Sequence, residues 1–262
     1  RFQDNSKFYH SDANYNFGHL WDFAEVQVGG SLRVYDLNSG GTIYTDNDGS
    51  INYSEFGLYT QIQKDVEISE TVEMKLTGSL RYDKSELFDG FFSPRLSAGF
   101  TIAKDHNIRA SFQTGFRNPT TQDLYIGLDV GRAVLIGGAF DNPERYSRQF
   151  SVENGNLSPF GAAIVGSSTL DIDGTGAYEN SFTANSVSQG FSQSGNPDDL
   201  EIGNSSLATP EQVSSFEIGY RGKESGVVVD ASVYYNIYQD FLSNENVIAP
   251  FYGDVELSES VP

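Results

Sequence analysis

The sequence predicts an all-β fold, a run of about eight antiparallel strands from a transmembrane β-barrel. Three observations carry this. Apolar and polar residues alternate with period two over long stretches. Those stretches exceed the roughly five or six residues usual in soluble sheets and reach the roughly 9–11 that a spanning strand requires. The connections between them alternate short and long, the asymmetry expected when one end of a barrel faces the periplasm and the other the exterior.

The alternation is clearest from Thr71 to Asp83, where Val72, Met74, Leu76, Leu80 and Tyr82 oppose Glu73, Lys75, Thr77, Ser79 and Arg81. A helix would scatter both sets around its surface. Upstream, Ala24, Val26, Val28, Leu32 and Val34 oppose Glu25, Gln27, Ser31 and Arg33. Downstream, Leu96, Ala98, Phe100 and Ile102 oppose Arg95, Ser97, Gly99 and Thr101, and Ile108, Ala110 and Phe112 oppose Arg109, Ser111 and Gln113. Phe216, Ile218 and Tyr220 alternate with Ser215, Glu217 and Gly219, and Val227 to Ile237 alternates similarly. Weaker runs lie at residues 7–17 and 51–63.

Gly18–Leu20, Lys64–Ser69, Lys104–Asn107 and Gly222–Ser225 read as short turns. Residues 37–50, 84–92 and 118–210 read as longer loops, the last rich in Gly, Ser, Asn and Asp. A loop of that length is functional or disordered, and weak alternation in Ser181–Val187 suggests a local hairpin. Phe17 and Trp21 flank a short turn, while Tyr82, Phe91, Phe92 and Phe116 flank long loops. Aromatic girdles at both lipid interfaces would produce this placement.

Composition agrees. The chain of 262 residues holds 19 Phe, 15 Tyr and 27 Gly, and only 38% of it is hydrophobic. Its net charge of −20 disfavours nucleic acid as a partner, because phosphates would be repelled. With no Cys, disulfides, thiolate metal sites and Cys nucleophiles are excluded. No run of 18 apolar residues exists, so no helix is expected to cross a membrane, and barrel strands would give no such run. A chain starting at Arg1 without a signal peptide is expected to have lost one by processing or truncation.

Three segments carry a family resemblance: Phe92-Ser93-Pro94-Arg95-Leu96; Gly115-Phe116-Arg117-Asn118-Pro119-Thr120; and Pro210-Glu211 followed by Glu217-Ile218-Gly219-Tyr220-Arg221-Gly222. In this order, with Asn196-Pro197 and Leu207 between, they resemble the latter part of the barrel of TonB-dependent receptors, with a Bacteroidota flavour. The family often has Lys where Thr209 precedes Pro210-Glu211, so a salt bridge there is in doubt.

The resemblance implies a barrel of about 22 strands plugged by an N-terminal domain. Residues 1–262 would then be part of the barrel domain, with an extracellular loop at about 118–210 and no plug, and the natural protein would be longer at both ends, since open strand edges are not tolerated in lipid. It also implies a bacterial outer-membrane receptor, not an enzyme, that takes up a scarce nutrient (siderophore, vitamin or oligosaccharide) with energy from the TonB complex. Its further partners would be outer-membrane lipid and lipopolysaccharide and a small-molecule or glycan ligand. A non-transporting binding or adhesion barrel is the alternative, and a soluble β-sandwich that binds carbohydrate is a weaker one.

Glu25, Arg33, Glu55, Arg81, Arg95, Arg109, Arg117 and Glu217 fall on the polar face, where they would line the lumen and contact the plug. In the long loop Arg132, Arg145, Tyr146 and Arg148 form a basic cluster suited to an anionic ligand, or to local pairing with Asp141 and Glu144.

No catalytic constellation, cofactor motif or metal triad is found. His10, His19 and His106 are scattered. Asp46, Asp48, Gly49 and Glu55 approach a calcium-loop spacing, but Tyr44 holds the first ligand position, so an Asp-Gly hairpin turn is the preferred reading.

Overall fold

The computed structural model describes residues 2–131 and 133–249. Eight long strands form one antiparallel sheet: β1 (Lys7–Asn16), β2 (Glu25–Leu37), β3 (Ile51–Ser69), β4 (Val72–Ser85), β5 (Phe91–Ile102), β6 (His106–Arg117), β7 (Glu211–Glu224) and β8 (Val227–Gln239). They lie in chain order, each paired with the next. β6 pairs with β7 across the whole 118–210 excursion, from Arg117↔Glu211 to His106↔Gly222.

The register brings apolar residues into cross-strand rows. One runs Val26, Ile62, Gly78, Leu96, Phe112, Phe216, Tyr235. The next runs Lys64, Leu76, Ala98, Ala110, Ile218, Val233. These rows cover no dry core: Leu96 is 62% exposed, Ile218 65% and Val233 76%. An apolar face this wide, left open across a sheet of spanning length, is the surface a barrel wall shows to hydrocarbon.

The opposite face is polar throughout its middle. One row reads Asn16, Gln27, Gln61, Ser79, Arg95, Gln113, Ser215, Asn236. The shift from one face to the other is a single residue, which is why a register slip would be ruinous.

Several boundaries differ from the sequence reading, among them the following. Lys64–Ser69 is strand, not turn, and only Glu70 and Thr71 connect β3 to β4. The charges there continue the alternation, Asp65 and Glu67 sharing the polar face with Lys75 and Glu73. The connection read as 84–92 shrinks to residues 86–90, because β4 continues to Ser85 and β5 starts at Phe91. Pro94 lies inside β5, where the ladder to β6 begins one residue later at Arg95↔Gln113, so its missing N–H removes no hydrogen bond on that side.

At the two ends of the sheet aromatic rings pack together. Phe17 stacks on Trp21 at 5.4 Å by the β1–β2 turn. At the other end Tyr82 meets Phe92 at 4.8 Å, and Phe91 stacks on Phe116 at 4.8 Å.

The two faces should respond differently to the same insult. In the whole protein reconstituted in lipid vesicles, Phe112→Arg is expected to lower unfolding free energy by about 2–4 kcal/mol, and Gln113→Arg by under about 1 kcal/mol. Equal losses in denaturant titrations would contradict the assignment of faces.

Candidate functional site

All eight polar-face charges expected from the alternation do share one face of the sheet. Six are engaged on that wall. Arg33 meets Glu55 at 3.6 Å, Arg109 meets Glu217 at 3.2 Å and Arg117 meets Glu211 at 2.8 Å. Arg81 meets Asp83 at 2.6 Å and donates to the Ser31 hydroxyl at 3.3 Å. Glu25 and Arg95 are exposed and have no ion-pair partner among the described residues.

Glu55 is a junction between wall and loop. Besides Arg33, it accepts from Asn118 Nδ2 at 2.7 Å and from the Tyr35 hydroxyl at 3.4 Å. Asn118 is where the chain leaves β6, so this bond ties the root of the long loop to the inner wall.

Above that point the loops make the one sizeable hydrophobic core among the described residues. Leu37, Ile51 and Tyr53 from the polar-face ends of β2 and β3 pack with Tyr44, Leu124, Tyr125 and Ala139. Tyr35 stacks on Tyr53 at 4.5 Å. Burial and the nearby Asp141 carboxylate push the Tyr125 phenol up to about 12.

The 118–210 segment is folded, not a featureless loop. A helix, Thr121–Tyr125, opens with Thr120 and Asp123 in a reciprocal capping box. Short strand pairs follow, Gly127–Asp129 with Val134–Ile136 and Ser147–Ser151 with Thr169–Asp173. The hairpin suggested at Ser181–Val187 does not form: Phe182–Thr183 pairs with Val247–Ile248, and Ser186 begins a helical stretch.

Two polar anchors hold the loops, Asn142 joining the longer to the shorter and Asp46 closing the shorter on itself. Asn142, fully buried, accepts from the Thr45 hydroxyl at 2.5 Å and donates to the carbonyls of Gly137 at 2.8 Å and Ile126 at 3.1 Å. Asp46 accepts from the Ser39 amide, from the Ser39 hydroxyl at 2.6 Å, and from the amides of Gly41 at 2.8 Å and Gly40 at 3.0 Å. Burial alone would raise its pKa, but the Ser39 hydroxyl and the three amides outweigh it and hold the carboxyl below the usual range. Asp46 is therefore a loop clasp. Glu55, its would-be partner in a calcium loop, faces Arg33 on the wall.

The basic cluster is divided. Arg145 is held by Asp141 at 2.6 Å. Arg148 pairs with Asp129 at 3.4 Å and lies over the Phe150 ring at 4.8 Å. Tyr146 and Arg148 share a cavity of about 440 Å³ with Phe2, Thr42, Thr45 and Asn47. Arg132 lies outside the described residues. Of the local pairing expected with Asp141 and Glu144, Arg145 takes Asp141, whereas Arg148 meets Asp129.

The anchors Asp46, Asn142 and Thr45 were not singled out as such by sequence. Thr120-Thr121-Gln122-Asp123 carries the capping-box signature and would have located the helix.

The family model described as TonB dependent receptor-like, beta-barrel matches residues 1–163. The chain belongs to this family. The vitamin B12 transporter BtuB of Vibrio vulnificus (strain CMCP6) is 30% identical over 81 residues, 31% of this chain and 12% of that protein. The crystal structure of the siderophore receptor PirA from Pseudomonas aeruginosa superposes with a TM-score of 0.52 at 16% identity, covering 94% of this chain and 34% of that one. It shares the fold. The siderophore receptor PirA from Acinetobacter baumannii, at 13% identity and a TM-score of 0.45, covers 98% of this chain and 30% of its own. The chain thus spans a minor part of the relatives it matches. Family membership places this TonB-dependent receptor barrel in the bacterial outer membrane.

The Asp46 clasp should be measurable. Asp46→Asn turns one acceptor into a donor facing amides, and is expected to cost about 1–3 kcal/mol of local stability. Hydrogen exchange at Ser39, Gly40 and Gly41 would report it. Because the folded pKa is lowered, the wild-type protection is full above about pH 4 and falls as acid titrates Asp46. The Asn variant should lose that pH dependence.

Proposed function

We propose that the whole protein is an outer-membrane receptor that takes up a scarce nutrient with energy from the TonB system, and that it makes and breaks no covalent bond. The observation carrying this reading is a folded loop chamber joined to a polar barrel wall through Asn118 and Glu55. A chamber held by Asp46 and Asn142 is preorganised, which suits capture of a dilute ligand. Residues 1–262 form one stretch of barrel domain, with 118–210 as its extracellular loop. A plug from the rest of the protein fills the lumen and meets the TonB complex. Lipid, including lipopolysaccharide, covers the apolar rows.

The ligand is a siderophore, a vitamin or an oligosaccharide. Tyr146 and Arg148 are the contacts favoured by geometry, because they open on one cavity. Arg145 serves the loop through Asp141. Arg132 remains a candidate by sequence.

The test is uptake in a strain lacking the receptor. Complementation with the full-length protein should restore growth on limiting ferric siderophore, cobalamin or oligosaccharide, and only when TonB is present. Combined Tyr146→Ala and Arg148→Ala should reduce uptake about tenfold or more, as loss of a central contact pair does. Binding of a ligand without TonB-dependent uptake would favour a non-transporting barrel instead.

A further inference from the structure

The cavity between the two loops is lined by an ion pair, not by a free cation. Arg148 meets Asp129 at 3.4 Å, and its guanidinium lies 4.8 Å from the centroid of the Phe150 ring. Asp129 is fixed as well, its other carboxylate oxygen accepting from the Gly131 amide at 2.7 Å. Both charged side chains line the cavity of about 440 Å³, and among the described residues no other lining residue is charged. One guanidinium and one carboxylate leave the lining with no net charge.

Uncharged groups with unused hydrogen-bonding capacity stand beside the pair. The hydroxyls of Tyr146 and Ser147 and the amide of Asn47 line the same cavity and make no side-chain hydrogen bond among the described residues. The surroundings are negative. Residues 118–210 hold eleven acidic and three basic side chains, in a chain of net charge −20. Of those three, Arg145 is already held by Asp141 at 2.6 Å.

We propose that Asp129 sets the charge selectivity of this cavity: by holding Arg148 it turns away anions and admits an uncharged, hydroxyl-rich ligand, of which a sugar ring is the chemical type. This rests on the reading, proposed above, that the cavity receives the nutrient. An anion would meet a repelling field at the loops. It would reach Arg148 only by displacing Asp129, which would strip that carboxylate of its counter-charge. An uncharged polyol incurs neither cost. A hydroxyl both donates and accepts, so neighbouring hydroxyls on one ring can accept from Arg148 and donate to Asp129 without parting them. Tyr146 adds an aromatic face for the apolar side of the ring. The cavity falls within the roughly 300–1,000 Å³ usual for small-ligand sites. Arg148 is then a hydrogen-bond donor in a fixed pair, not an anion trap.

The test uses the whole protein, purified in detergent, on an array of neutral and acidic oligosaccharides, with a ferric tris-catecholate as the anionic probe. Wild type should bind a neutral oligosaccharide best, and its affinity should change less than about twofold between about 0.05 M and about 0.5 M salt. Asp129→Asn keeps an acceptor for the Gly131 amide and removes the charge. It should weaken the oligosaccharide about tenfold and tighten the tris-catecholate about tenfold. Tyr146→Leu should weaken the oligosaccharide by a similar factor. Should Asp129→Asn fail to assemble, the wild-type preference and its salt dependence decide alone. A wild type that prefers the tris-catecholate or an acidic oligosaccharide, or that binds no neutral one, would overturn the proposal. Unchanged or tighter oligosaccharide binding in assembled Asp129→Asn would overturn it too. The transport reading fails separately, as a wild type that binds the neutral oligosaccharide yet supports no TonB-dependent uptake of it.

Discussion

The structure depends on one constraint: an extended chain must put successive side chains on opposite faces, and here the two faces meet different solvents. Hydrocarbon cannot satisfy a backbone N–H or C=O, so the strands pair along their lengths, and the register is continuous from β1 to β8. Once the register is set, every apolar residue of a row lands on one side, and every Arg, Glu, Gln and Ser of the next lands on the other. The wide exposed apolar rows and the polar wall are consequences of the same parity.

The core lies where that parity stops mattering. Beyond the lipid, the polar-face ends of β2 and β3 carry Leu37, Ile51 and Tyr53, and water would be a poor solvent for them. The long loop folds back and covers them with Leu124, Tyr125 and Ala139. Hydrophobic burial therefore organises the loop chamber, whereas hydrogen bonding and lipid organise the wall. Asn118 joins the two regions through Glu55, while Asn142 and Asp46 hold the loops themselves, with buried or half-buried polar contacts whose loss would leave donors unpaired.

Charge follows the same division. The chain is strongly acidic overall, yet on the polar face Arg33, Arg81, Arg109 and Arg117 each meet a carboxylate, while Arg95 and Glu25 meet no ion-pair partner among the described residues. Loop arginines are matched too, Arg145 with Asp141 and Arg148 with Asp129. Basic residues scattered in an acidic sequence look available to an anion; in three dimensions most are already spoken for.

Sequence alone determined the strands, the two faces and the face to which each of these charged residues belongs, because alternation is a local property that needs no knowledge of distant contacts. Arg95 and Glu217 could be assigned to one side from parity alone. It determined the turns less well: Lys64–Ser69 looked like a connection because it is charged, although its charges keep the period. Tertiary structure alone decided that 118–210 is folded, that Asn142 ties it to Thr45, and that Arg148 meets Asp129. Those contacts join residues far apart in the chain, through irregular backbone with no period to read. Whether a charge is free or paired is likewise a matter of distance across strands, and no pattern along one strand contains it.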